Sequence, residues 1–328
     1  EYGLGVPYFR TPIYCVCRLH RLYNTEVTAL KRATLIGLLF SSPFLIGFLA
    51  FTLYPIGASL YYSFTDFNMF KSPSWVGLDN YRWVLQEDDV WKSVVNTLYM
   101  VVFATPVSLI VGLLLAQMLN MKVRGQSIYR TLYYIPSIVP AIATSLVWMW
   151  VLNPKSGLIN SVLGFFGIRG PNWLLDPVWT KPSLILMGAW GAGGIMIIFL
   201  AALQDVPKSL YESAEIDGAG KIRKFISITL PTISPIILFQ LIMGLITYFQ
   251  YFAQAFMLAS LTNSGANQTM AGPEKSLLFY AVLLYREAFV DFRMGNASAM
   301  AWLLFLITSI VTYLIFRSSN RWVTYGGD

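Results

Sequence analysis

The chain has 328 residues, of which 56% are hydrophobic and 12% charged, and it carries a formal net charge of +7. Soluble domains hold roughly twice that charged share, so the composition excludes an ordinary water-soluble enzyme or binding module and points to a polytopic membrane protein. The basic excess raises nucleic acid as a partner, and the distribution of the charges removes that need.

Residues 1–32 form a basic, aromatic tail with Arg10, Arg18, Arg21, Lys31 and Arg32, part of which can lie at a membrane interface. Cys15 and Cys17 read as free thiols of a reducing compartment; with His20 they are too few and too local for a metal site. The first apolar run, about 33–62, is long enough to stay as a span rather than be cleaved as a leader. Pro43 and Pro55 within it predict a kink. Further runs follow at about 94–119, 129–152, 183–204, 232–260 and 297–316. Each has the roughly 20 residues that a bilayer crossing requires. Trp148 and Trp150 end the third run as an interfacial belt, and Gly188, Gly191, Gly193 and Gly194 in the fourth permit close helix approach. The expected fold is all-α, a membrane domain of six transmembrane helices over 33–317 with tails at 1–32 and 318–328.

Six crossings put the N-terminal tail, the 120–130 connection, the stretch after the fourth run and the C-terminal tail on one side. That side holds 14 Lys and Arg against 7 Asp and Glu, whereas the other holds 9 of each. Positive charge stays cytosolic, so both termini and the stretch after the fourth run are expected in the cytosol, and the topology absorbs the whole basic excess. No ionisable residue falls well inside a run. Proton- and voltage-driven machines keep such residues in the membrane, so the energy for uphill movement of a solute is expected to enter from outside it.

The stretch after the fourth run is the obvious entry point. Residues 205–230 read as a helical hairpin: Asp205 as cap, Pro207 in the first turn, a helix to about Asp217, a turn at Gly218–Ala219–Gly220, and a second helix over 221–229. Ile222, Phe225, Ile226 and Thr229 are spaced to make one apolar face of that second helix, and Glu212 and Glu215 lie one turn apart on the first.

Glu212-Ser213-Ala214, three residues, Gly218, nine residues, then Ile228-Thr229-Leu230-Pro231 resembles the EAA loop of ABC-importer permeases, with Ser213 where the second Ala is usual. The fuller string through Asp217, together with Val76-Gly77-Leu78-Asp79-Asn80-Tyr81, Tyr285–Phe289 and Gly295–Ala299, is similar to the carbohydrate-uptake branch (maltose, glycerol-phosphate and oligosaccharide importers). The resemblance covers about 33–317 and implies the permease fold of a type I importer. It further implies a second, homologous permease as a heterodimer partner, an ATPase dimer on the cytosolic face and an extracytoplasmic binding protein. Glu212, Ser213, Ala214, Asp217, Gly218, Leu230 and Pro231 would then form a coupling element seated on the ATPase. ATP and Mg would be used by that ATPase, since the chain has no G-x-x-x-x-G-K-[ST] motif, and this subunit would bind no cofactor and perform no catalysis.

The fifth run is unusually polar and aromatic, and Tyr248, Gln250, Tyr251 and Gln254 are the solute-path candidates. On a continuous helix Gln250 and Gln254 share a face with Tyr251 beside it; amides suit sugar hydroxyls and rings suit apolar sugar faces. The same residues also suit helix–helix packing. Where the family often has F-D-x-x-Y, this chain has Phe252-Ala253-Gln254-Ala255-Phe256, and the loop from Ser260 to Gly272 is long. The leading expectation is an importer of oligosaccharides, acidic ones such as alginate-type uronates included. The alternative is a secondary transporter of a neutral solute, which lacks the intramembrane coupling residues it would need.

Overall fold

The structure is a computed structural model that describes residues 35–121, 124–262 and 270–324. The tail over 1–32, with Cys15, Cys17 and His20, lies outside the described residues, as do the last four positions. Up to Tyr61 the chain is a unit by itself. It holds all but the last residue of α1, Leu35–Tyr62, which is 28 residues long and apolar enough to cross a membrane. At Leu49–Leu53 this helix widens into a π turn in which the Tyr54 N–H reaches back to the Leu49 carbonyl. Pro55 follows at once. Its ring crowds the carbonyl four residues earlier and it has no N–H to donate. The wider turn gives that carbonyl room, so the proline is absorbed by a π turn and the helix continues as one span.

The second unit begins with an antiparallel ribbon, β1 (Thr65–Asp66) on β2 (Ser74–Trp75), followed by α2, Asp79–Gln86. The Asn80 amide donates to the carbonyls of Ser63 and Thr65, which fixes the ribbon to the start of α2. Next come α3 (Asp88–Asn120), α4 (Gln126–Ile138), α5 (Ala141–Val151), α6 (Leu158–Phe165), α7 (Pro177–Trp190) and α8 (Gly193–Gln204). The hairpin consists of α9 (Lys208–Ile216), α10 (Lys221–Lys224), a π turn over Phe225–Thr229 and the single turn α11 (Leu230–Thr232). It leads into α12 (Ser234–Phe249), α13 (Ala253–Thr262), α14 (Tyr280–Phe289) and α15 (Met294–Ser319).

Among the described residues four helical stretches are long and apolar enough to cross a membrane, Ser234–Ser260 of α12 and α13 counted as one, or six if α4 with α5 and α7 with α8 each make one bent span. The six expected runs are therefore all present, and two of them are bent, by 101° and 48°. Pro136 and Pro140 flank the first bend and Gly191 the second, where helix hydrogen bonding is weakest.

α3 is the central element of this unit and packs against α7, α8, α12 and α14. Three apolar clusters are strung along it. Val90 belongs to one near the start of α3, Met100, Val101 and Ala104 to the middle one, and Ala116 and Leu119 to one at its far end with Leu203, Val206 and Ile233. The hairpin thus springs from the end of the bundle marked by Leu119. The chain end returns to the same place: the Thr324 N–H donates to Ser234 Oγ at 2.9 Å, and that buried hydroxyl donates to the Pro231 carbonyl at 2.7 Å.

Candidate functional site

The hairpin is set by how α9 stops. Gly218 has φ +75, a conformation that costs a residue with Cβ about 1–2 kcal/mol. Around it the Ala219 N–H donates to the Ala214 carbonyl and the Gly218 N–H to the Glu215 carbonyl. This pair of bonds is the Schellman helix ending, which places Gly four residues after the carbonyl that closes the outer ring. The spacing from Ala214 to Gly218 is therefore the chemistry of a helix stop. No atom lies within 4 Å of a Cβ built on Gly218, so backbone conformation alone selects glycine there.

The start of α9 differs from expectation. Pro207 occupies the cap position, the helix begins at Lys208, and no side chain caps it. Asp205 instead ends α8, its N–H donating to the Ala201 carbonyl. The buried Val206 pulls the connection into the core and leaves Asp205 on the wrong side of the new helix. The second leg is also corrected. Ile222 and Ile226 are 77% and 58% exposed, whereas Thr229 is buried and Phe225 and Ile228 are half-buried. The π turn over Phe225–Thr229 adds a residue to the turn, so positions counted at 3.6 per turn no longer share a face.

The two legs are tied twice. Tyr211 Oη and Thr229 Oγ1 share a hydrogen bond of 2.8 Å, and Lys224 Nζ meets Glu215 Oε1 at 2.6 Å. The lysine's hydrogen bond and charge hold the Glu215 carboxyl below its ordinary value. Glu212, Ser213 and Asp217 face solvent, Ala214 is half-buried, and among the described residues Glu212 has no ion-pair partner. Leu230 and Pro231 turn the leg into the bundle. With Leu210, Ile216, Ile222 and Ile226 all exposed, the hairpin presents an apolar surface studded with charges while Val206, Tyr211 and Ile228 root it in the α3–α8 core.

The solute-path candidates separate. The helix breaks over Gln250–Phe252, between α12 and α13, so the shared face expected of Gln250 and Gln254 does not form. Tyr248 is buried, with its hydroxyl 2.8 Å from Ser108 Oγ of α3. Tyr251 is buried between Tyr248 and Phe279. Both rings pack the middle cluster. Gln254 is half-buried. Gln250 is exposed and lines a groove of about 740 Å³ with Ile246 of α12 and Leu304, Thr308, Ser309 and Thr312 of α15.

The three helix breaks fall at comparable distances along the chain from the hairpin end. Counted from the hairpin end, α4 runs 13 residues to its break, α8 12 and α12 16. At 1.5 Å per residue that is roughly 18–24 Å. These segments adjoin one another, α4 against α8 and α8 against α12, with α5 against α13 beyond the breaks. Broken backbone within a membrane is tolerated where protein buries it or where it lines an aqueous cavity.

Sequence reasoning missed the polar residues at the other end of α3. Lys181, one turn into α7, donates to Asn96 Oδ1 at 2.8 Å and lies 5.2 Å above the Tyr99 ring. An amide near the start of an apolar run, Asn96, was the available signal.

Helices long and apolar enough to cross a membrane and a rooted hairpin between two of them define a multi-pass helical membrane protein. Residues 108–325 match the family of binding-protein-dependent transport system inner membrane components, and the chain belongs to that family. It is similar to the probable ABC transporter permease protein YesP of Bacillus subtilis, 38% identical over 300 residues that cover 90% of this chain and 94% of the relative. The sulfoquinovosyl glycerol transport permease SmoG of Agrobacterium fabrum is 30% identical, covering 86% and 90%. The sn-glycerol-3-phosphate transport permease UgpA of Yersinia pestis is 32% identical, covering 84% and 90%. Among solved structures, a chain of a bacterial ABC transporter that imports the acidic polysaccharide alginate shares the fold, with TM-score 0.73, 24% identity and coverage of 92% and 99%. The chain is thus the membrane component of an ABC importer that works with a binding protein and an ATPase, a transport subunit and not an enzyme. This decides against a secondary transporter.

Proposed function

We propose that this chain forms one half of the translocation pathway of an ATP-driven importer of oligosaccharides, the other half being a second, homologous permease. The relatives' names support a glycosylated or polyhydroxylated solute: sulfoquinovosyl glycerol, sn-glycerol-3-phosphate, and diacetylchitobiose for the permease NgcF of Streptomyces coelicolor, 32% identical over 86% of this chain. Anionic head groups occur among them, so acidic oligosaccharides are included. Both termini and the hairpin face the cytosol, on the strength of the 14 basic residues assigned to that side. The membrane domain spans 33–317, between the tails 1–32 and 318–328.

The observation that carries the reading is the rooted hairpin. Its exposed surface, with Glu212, Ser213, Ala214, Asp217 and the turn at Gly218, offers an ATPase a contact, and Leu230 and Pro231 pass its movement to α12. Glu212 meets a basic residue of that partner. ATP and Mg are bound and used by the ATPase alone. Solute passes beside the helix breaks, where Gln250 and Gln254 supply amides and Tyr248 and Tyr251 shape the wall from behind.

The test is coupling in the assembled transporter. Glu212→Lys and Gly218→Pro should each abolish stimulation of ATP hydrolysis by the cognate binding protein, with membrane insertion intact. Transport that persists without ATP and collapses with an ion gradient would overturn the reading.

A further inference from the structure

The segment Ala271–Phe279, between α13 and α14, is not helical beyond the single turn Pro273–Lys275; it is buried at Ala271 and over Ser276–Phe279, while Glu274 and Lys275 of the turn are exposed. Ala271, Ser276, Leu277, Leu278 and Phe279 are each 3% exposed or less. Three residues with Cβ at or beside it, Met270, Glu274 and Lys275, take left-handed conformations with φ of 46, 48 and 59. Backbone held this way persists only when its surroundings over-determine it, and such strain gathers at switch regions.

The polar contacts that hold the segment come from one helix. Asn96 Nδ2 of α3 donates to the carbonyls of Lys275 and Leu278 at 2.8 and 3.0 Å. Thr97 Oγ1 accepts the Tyr280 N–H at 2.9 Å. Asp89 accepts from Lys275 Nζ, and its second oxygen takes Arg286 of α14 at 2.9 Å. Lys181 of α7 fills the remaining valence of Asn96. One hydroxyl, Ser276 Oγ, is buried with no partner, so the segment is not fully satisfied where it lies.

α3 runs 33 residues, about 50 Å, and its opposite end packs on Val206 and Leu203 at the root of the hairpin. We infer that Asp89, Asn96 and Thr97 are positioning residues that hold Ala271–Phe279 as a strained closure at the end of the bundle opposite the hairpin, and that α3 is the rod through which hairpin movement releases it. The inference rests on the hairpin being the ATPase contact.

The test uses the assembled transporter in proteoliposomes, with Cys15→Ser and Cys17→Ser to remove the native thiols. Asp88→Cys with Glu274→Cys places two exposed thiols beside the Asp89–Lys275 contact. A flexible bismaleimide bridging them should cause loss of binding-protein-stimulated ATP hydrolysis, whereas a monofunctional maleimide should not. Thr97→Val should lower the ratio of stimulated to basal hydrolysis and Thr97→Ser should preserve it, a split that simple destabilisation would not give. Full stimulation in the bridged protein overturns the closure. If Glu212→Lys abolishes stimulation in the same assay, the hairpin reading survives that failure; if it does not, both readings fall.

Discussion

Glycines with the same look in the sequence have different jobs. Gly188, Gly191, Gly193 and Gly194 all read as allowing close helix approach, but a Cβ on Gly193 would stand 2.1 Å from the Tyr133 carbonyl of α4, and one on Gly194 would find its nearest neighbour at 4.0 Å. Backbone cannot retreat as a flexible side chain can. Gly193→Ala is therefore expected to destabilise by about 1–3 kcal/mol or more through overpacking, and Gly194→Ala to be near neutral. Thermal unfolding of the two variants in detergent checks this; equal midpoints would overturn it. Residue type was legible and partner was not, because contact across α4 and α8 depends on the bend at Gly191. By contrast, Gly218 could be assigned from spacing alone, since a Schellman stop is local and needs no partner.

Elements were read well where the apolar period was unbroken and poorly where it changed. α1, α3 and α15 stand where the hydropathy placed them. The errors at the Ile222–Ile226 face and at Gln250–Gln254 share a cause: each assumed a regular α-helix through a point where the backbone departs from it, whereas Asp205 stands two residues before the cap position of the helix it was expected to cap. Gln250 and Tyr248 now make distinct predictions. Gln250→Ala should change stimulation of ATP hydrolysis by loaded binding protein with little effect on stability, because the amide faces the groove. Tyr248→Phe should cost about 1 kcal/mol of stability by leaving Ser108 Oγ without its partner on α12. The reverse pattern would reassign both. At α14, Glu287 is buried with Arg293 and Arg286 at 3.5 and 3.7 Å. Burial pushes its carboxyl above the ordinary value, and the two arginines only partly offset this. A raised acid favours the folded state below its ordinary value and loses that contribution as pH rises through the folded value. Glu287→Gln should flatten that slope in unfolding midpoints taken across the same pH range; an unchanged slope would assign it elsewhere.

On the scale of the whole molecule, the proposed orientation rests on the uneven distribution of Lys and Arg. The chain has two cysteines, both in the N-terminal tail, so they are a built-in reporter of which side that tail occupies. A membrane-impermeant maleimide should leave Cys15 and Cys17 unmodified in intact cells and label them in inverted vesicles. Labelling from outside would invert the topology and move the hairpin away from any cytosolic ATPase. Fold class and the helix stop at Gly218 were thus legible from composition and spacing, while the contacts between α3 and Ala271–Phe279 were not. Asn96 and Lys275 are 179 positions apart, and only the folded chain brings them together.

The π turn at Phe225–Thr229 sits two residues before Pro231, as the one at Leu49–Leu53 sits two before Pro55. A π turn is an α-helix with one residue too many, and each residue of an α-helix advances about 100°. Deleting a single residue there would rewind the turn and swing α9 around the axis of α12 by about that angle, with every side chain of the hairpin still present. The compass bearing of the proposed ATPase contact is in this sense stored in one surplus residue, so an indel at this point would redirect the hairpin where a substitution would only weaken it.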